Sequence, residues 1–353
     1  MPPAVITLFL EFIFRGSLVK ALIVAVVATA EQSSAPPGWS MQSSGVTARL
    51  RGISAVTSEV AWASGAMGTV IRTSDGGSTW RNVSVPDATA LDFRDIDAVD
   101  ERTAYVLSIG NGDSSRIYKT IDAGATWTLQ FRNEDPKAFY DAMAFRDARR
   151  GFAVSDSVDG TFVILQTTDG TMWRRLPSDA LPRALPGEGS FAASGTNVAI
   201  RDDRVWIATA SRVVRSLDGG RSWSVTTAPL RASGSAGIFS IAFRDGNRGV
   251  IVGGDYKKEA VATDNAAVTT DGGATWTLVK GLSGYRSAAA FVPARPGVLV
   301  AVGPSGCDYS TDDGLTWRPL PGPGFHAVSF APGSAIGWAV GNDGSVGRLD
   351  LSR

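Results

Sequence analysis

The octapeptide TSDGGSTW (Thr73–Trp80) returns along the chain as TIDAGATW (Thr120–Trp127), SLDGGRSW (Ser216–Trp223), TTDGGATW (Thr269–Trp276) and STDDGLTW (Ser310–Trp317). A further copy, TTDGTMW (Thr167–Trp173), is one residue short. Repetition at a near-constant interval points to a repeat architecture. The chemistry of the octapeptide is that of a turn. Its aspartate accepts backbone N–H groups across the bend, and its glycine adopts a backbone conformation that other residues resist. The Ser or Thr hydroxyl ties the ends, and the tryptophan plugs apolar space under the hairpin. These aspartates belong to the scaffold and are not candidate catalytic carboxylates.

Working outward, an alternating strand precedes each copy, as in TVIR, RIYK, FVIL and RVVR. Ahead of it lies a buried strand ending in small residues (VAWASG, TAYVLSIG, RVWIATA, IGWAVG), and ahead of that an apolar strand (GISAV, DAMAF, FAASG, SIAF). Each unit therefore reads as four short antiparallel strands with no room for helices. Successive octapeptide tryptophans lie 41–53 residues apart. The last unit, from His326 onward, has three strands and no tryptophan after them, while GWSMQ (Gly38–Gln42) carries Trp39 with no octapeptide before it. Together the two ends make one repeat. The expected fold is an all-β, seven-bladed β-propeller of four-stranded antiparallel blades, its ring closed by an N-terminal strand in the last blade.

Composition agrees with this and narrows the partners. Forty glycines and seventeen prolines suit a turn-rich all-β chain. Thirty-four basic and thirty-four acidic side chains leave a formal net charge of zero, so nothing electrostatic points to nucleic acid. One cysteine, Cys307, and one histidine, His326, exclude a disulfide framework within the chain and a Cys/His zinc site. No cofactor or metal is expected, since no phosphate loop, dinucleotide fingerprint or calcium-ligand spacing appears. Residues 1–30 read as a signal or targeting segment: Arg15 and Lys20 precede ALIVAVVATA (Ala21–Ala30), which ends in a small-x-small cleavage pattern. Residues 31–353 then form the propeller. A periplasmic or secreted monomer without stable membrane insertion is expected.

The repeats resemble the Asp-box (BNR) repeats of sialidases, sortilin-type receptors and several glycoside hydrolases. AWASGAMGTVIRTSDGGSTW (Ala61–Trp80) is more closely similar to the blade pattern of the photosystem II stability/assembly factor-like family. That resemblance covers nearly all of the mature chain and implies a single seven-bladed propeller with an assembly-chaperone role. It implies fold more strongly than activity. Sialidase activity is disfavoured, because LRGIS around Arg51 lacks the proline of the sialidase segment.

In a propeller, ligands meet the funnel formed where the innermost strands begin and where the second strand turns into the third. Aligning the units places Arg51, Arg94, Tyr140, Asp141, Arg286 and His326 at the inner-strand starts, with Glu188 just before the fourth. Loops of the same face add Asp156, Asp308, and Asp255, Tyr256 and Lys257 within the longest insertion, Gly253–Asn265. Arg51, Arg94 and Arg286 would clamp an anionic group through bidentate hydrogen bonds. Asp141 and Glu188 would form an acid/base pair on a sugar, with His326 as proton shuttle. Two readings follow: an exported propeller that binds a partner protein or glycan through a polar funnel, and a glycoside hydrolase or lyase on the same scaffold.

Overall fold

Apolar runs of four to eight residues, separated by Asp/Gly turns, pair with their neighbours in sequence and generate seven successive four-stranded meanders. The computed structural model describes the backbone of residues 5–14 and 17–26, and backbone and side chains of residues 38–352. The chain divides into two units, Met1–Pro36 and Pro37–Arg353. In the first, Val5–Phe14 pairs antiparallel with Ser17–Val26. The signal-segment expectation falls on this unit, and its cleavage pattern, residues 28–30, lies outside the described residues.

The second unit is the propeller. Blade 1 comprises Leu50–Ala55, Ala61–Gly65, Val70–Thr73 and Arg81–Asn82, from the axis outward. The inner strands of blades 2 to 6 are Asp92–Ala98, Tyr140–Phe145, Val198–Arg201, Ala236–Phe243 and Ala288–Phe291. Blade 7 takes three strands from the C-terminal end, Ala327–Phe330, Ile336–Val340 and Val346–Asp350. Its outer strand is Trp39–Gln42, which pairs from Trp39 against Leu349 to Gln42 against Val346. Only short three-residue 3₁₀ turns interrupt the strands among the described residues.

Between each pair of adjacent blades lies one apolar cluster. Blades 1 and 2, for example, share Trp62, Val70, Phe93 and Val106, and blades 6 and 7 share Val302, Cys307, Val328 and Leu349. Trp62, Trp206 and Trp338 of the second strands are fully buried. The octapeptides repeat the same turn. In the first, Thr79 donates its N–H to Asp75 Oδ1 (2.9 Å) and its hydroxyl to Oδ2 (2.7 Å), while Gly77 N–H reaches Thr73 Oγ1 at 2.9 Å. The closing strand is stitched to this turn. Gln42 Oε1 accepts the indole N–H groups of Trp80 (3.1 Å) and Trp338 (3.2 Å), joining blades 1 and 7.

One element departs from the sequence reading. FAASG (Phe191–Gly195) resembles an inner strand, yet the fourth inner strand is Val198–Arg201. Phe191–Thr196 instead crosses the central channel as a plug. Arg51 Nη1 donates to Ala193 O (3.3 Å) from blade 1, and Arg94 Nη1 to Ala192 O (2.8 Å) from blade 2. Ser194 Oγ donates to Ser287 O (2.8 Å) beside blade 6, and Ile241 N–H of blade 5 to Thr196 O (2.9 Å). Residues 192–195 are small because the channel is narrow: Gly195 has φ +73°, and a Cβ there would collide with the Asp95 carboxylate.

Candidate functional site

The plug divides the channel into two cups. One opens on the face where inner strands begin and second strands turn into third. The other opens on the opposite face, to which the octapeptide turns belong by the up-and-down strand order. The first cup, the funnel, has a volume of about 600 Å³. Its polar wall carries Arg49 and Arg51 from blade 1, Arg94 from blade 2, Asp141 and Asp156 from blade 3, and His326 and Asn342 from blade 7. Its other wall is aromatic: Phe191 and Phe239 stack with centroids 4.0 Å apart, and Tyr256 and Tyr285 meet Phe239 edge-on.

Electrostatics in the funnel follow from burial. Arg94 Nε donates to Asp92 Oδ2 at 2.9 Å, and Arg49 approaches the same oxygen at 3.6 Å. Among the described residues no carboxylate forms an ion pair with Arg51. Burial, with Arg94 and Arg49 nearby, pushes its guanidinium down to about 10. Asp141 is 1% exposed, and burial raises its carboxyl well above the usual range. The charge of Asp156 and a hydrogen bond to it add to the rise, and burial raises Asp156 as well. The His326 ring is pushed down to about 4 by burial first and then by Arg51. It is therefore neutral at pH 7. Nε2 lies 2.8 Å from Asn342 Oδ1, which can only accept, so Nε2 carries the ring proton.

The structure brings six of the twelve sequence-derived candidates to the funnel: Arg51, Arg94, Asp141, Asp156, Tyr256 and His326. The others sit elsewhere. Arg286 does not join the arginine clamp. It is buried and paired with Asp308 (Nε–Oδ2 2.7 Å, Nη2–Oδ2 2.6 Å), because a charge removed from water needs a counter-charge. Asp308 is consumed in the same pair. Glu188 is not free for acid/base work: it is gripped by Arg212 and accepts Thr209 Oγ1–H (2.8 Å) and Leu185 N–H (2.8 Å). Burial would raise this carboxyl, and those hydrogen bonds outweigh it, holding it below its usual range. Tyr140 packs in the cluster between blades 2 and 3, edge-on to Phe131 at 5.2 Å. Asp255 and Lys257 stand on the insertion away from the funnel, with the Lys257 ammonium 5.9 Å from the Tyr256 ring centroid.

Arg49, Asp92, Phe191, Tyr285 and Glu259 also belong to this region and were not singled out from sequence. Arg49 lies two residues before Arg51 at the start of the same inner strand, a placement the strand alternation of Arg49-Leu50-Arg51 could have revealed.

No protein-family profile and no curated protein matches the sequence. Solved structures do. The chain superposes on YCF48 bound to a D1 peptide with TM-score 0.64 at 16% identity, covering 90% of this chain and 100% of that one. YCF48 from Cyanidioschyzon merolae gives TM-score 0.64 at 17% identity with the same coverage. A GH74 xyloglucanase from Xanthomonas campestris gives 0.63 at 17% identity over 90% of this chain, which spans about half of the enzyme (54%). At such identities the likeness establishes a shared seven-bladed propeller fold, and activity has to be argued from the site.

Proposed function

We propose that the protein is an exported, assembly-factor-like propeller that holds a segment of a partner protein in its funnel. The observation that carries this is the plug. It closes the channel beneath a wide cup with one polar and one aromatic wall, which suits an inserted side chain or turn. The likeness to a propeller solved with a bound peptide supports the same reading. The reading includes a periplasmic or secreted location and a monomeric state; no helix of the described residues is long and apolar enough to cross a membrane.

The hydrolase reading draws no support from the carboxyl groups. Glycosidase pairs stand roughly 5–10 Å apart across the scissile bond. Here Asp141 is buried and interacts with Asp156 within one blade, and Glu188 is held by Arg212. The test is a displayed peptide library selected on the wild type and counter-selected on Arg94→Ala. Binders that lose at least about tenfold in affinity on the variant, about 1.4 kcal/mol, are the expected result. Binders indifferent to every funnel substitution would overturn it.

A further inference from the structure

We propose that the base of the funnel recognises an uncharged amide group of the partner peptide, its N–H donated to His326 Nδ1 and its carbonyl accepting from the Arg51 guanidinium. This rests on the partner-binding reading and specifies what the site selects. Besides Asp141 Oδ2, whose carboxyl interacts with Asp156, two buried polar atoms of the funnel lining have no hydrogen-bond partner among the described residues: His326 Nδ1 and Arg51 Nε. Both belong to built positions. His326 is 4% exposed and fixed through Nε2 by Asn342, and Arg51 is fixed through Nη1 by the plug carbonyl of Ala193.

The two atoms ask for opposite things. With the proton on Nε2, Nδ1 is a bare lone pair and needs a donor; Arg51 Nε–H needs an acceptor. Leaving such groups unmatched in a buried site is unfavourable, so a ligand that supplies both is selected. An amide supplies one of each in a flat unit. A carboxylate has no hydrogen to give and would set an oxygen lone pair against Nδ1. An ammonium group has the hydrogen but meets Arg49, Arg51 and Arg94 in the same cup.

Overall charge agrees with a neutral ligand group. The three arginines share the cup with Asp92, Glu259 and the Asp141–Asp156 pair, in which burial disfavours charge. The aromatic wall favours peptide over glycan. Phe191 and Phe239 stack on each other, which takes up one face of each ring that a sugar would otherwise use.

His326 is the only histidine of the chain, so ¹⁵N-histidine labelling of the full protein gives one ring to observe. The probes are acetamide, sodium acetate at matched ionic strength, and methyl glucoside. Acetamide is expected to move the Nδ1 resonance saturably toward lower frequency while Nε2 stays protonated. Acetate should bind about tenfold or more weaker. His326→Phe, similar in size, should abolish acetamide protection against melting without loss of fold. If acetate binds as tightly and protonates the ring, or no probe moves Nδ1, the amide assignment fails. If methyl glucoside moves Nδ1 at lower concentration than acetamide, the ligand is a glycan hydroxyl and the assignment fails likewise. These outcomes are separate from the partner reading: library binders that depend on Arg94 yet leave Nδ1 unmoved would keep that reading and reject this one.

Discussion

The octapeptide turns and the channel both carry aspartates, and the two sets behave in opposite ways. At the turns, hydroxyl and backbone N–H donors surround each carboxylate. The hydroxyl and N–H of Thr126 hold Asp122 down to about 2, and those of Ser222 do the same for Asp218. In the channel, burial dominates. Asp95 and Asp141 are raised well above the usual range, and Asp97 reaches about 6 although Phe145 donates its N–H to it at 2.8 Å. The turn carboxylates recur from blade to blade, whereas these channel carboxylates come from blades 2 and 3 alone. Repetition marks the scaffold, and departure from it marks the site.

The largest expected effect tests whether a buried charge outside the funnel is structural. Arg286→Ala leaves Asp308 buried without its partner and should cost about 3–5 kcal/mol. Chemical denaturation measures it; unchanged stability with lost ligand binding would return Arg286 to the site.

Next comes Asp97. Its folded value lies above the ordinary 3.8, so its contribution is present below that pH and lost as pH rises through about 6. Asp97→Asn keeps an oxygen for Phe145 N–H and should be more stable than wild type at pH 7 by up to about 3 kcal/mol. An advantage that fails to grow between pH 4 and pH 7 would place Asp97 with the turn aspartates.

The reverse sign holds for Asp271, held down to about 2 because hydrogen bonds from Thr275 and Thr269 outweigh its slight burial. Its stabilisation is present above the ordinary value near 4 and lost as pH falls through about 2. Asp271→Asn should cost about 1 kcal/mol at pH 7, with a deficit that shrinks on acidification in thermal melts.

The smallest effect is at Asp141. Burial and the charge of Asp156 hold the Asp141 carboxyl well above its ordinary range, and an asparagine is uncharged and can donate to Asp156, so Asp141→Asn should melt with the wild type at pH 7. A marked loss of stability would show that Asp141 is ionised and the comparison wrong at that position.

Blade number, strand order and ring closure were legible because they rest on local and periodic features: turn formers at fixed spacing, buried tryptophans, and two incomplete ends that complement each other. Half the candidate site was legible for the same reason, since strand starts follow from the repeat. The remainder depends on partners distant in sequence. Nothing near Arg286 or Glu188 announces Asp308 or Arg212, 22 and 24 residues away. FAASG has the composition of an inner strand, and only the channel's width and the backbone acceptors it offers Arg51 and Arg94 make it a plug.

The outer strand of blade 7 has a consequence for biogenesis. Trp39–Gln42 emerges first of the propeller's strands, and its partner Val346–Asp350 emerges last. Six blades can form in order as the chain appears, each from contacts local in sequence. The seventh cannot. Its pairing spans nearly the whole propeller, and such non-local closure is slow. Until the last strand is delivered, the first waits with its edge unpaired, and Trp80 and Trp338 lack the Gln42 acceptor that joins their blades. Completion of the ring is thus a checkpoint on the length of chain delivered: a truncated product remains an open arc.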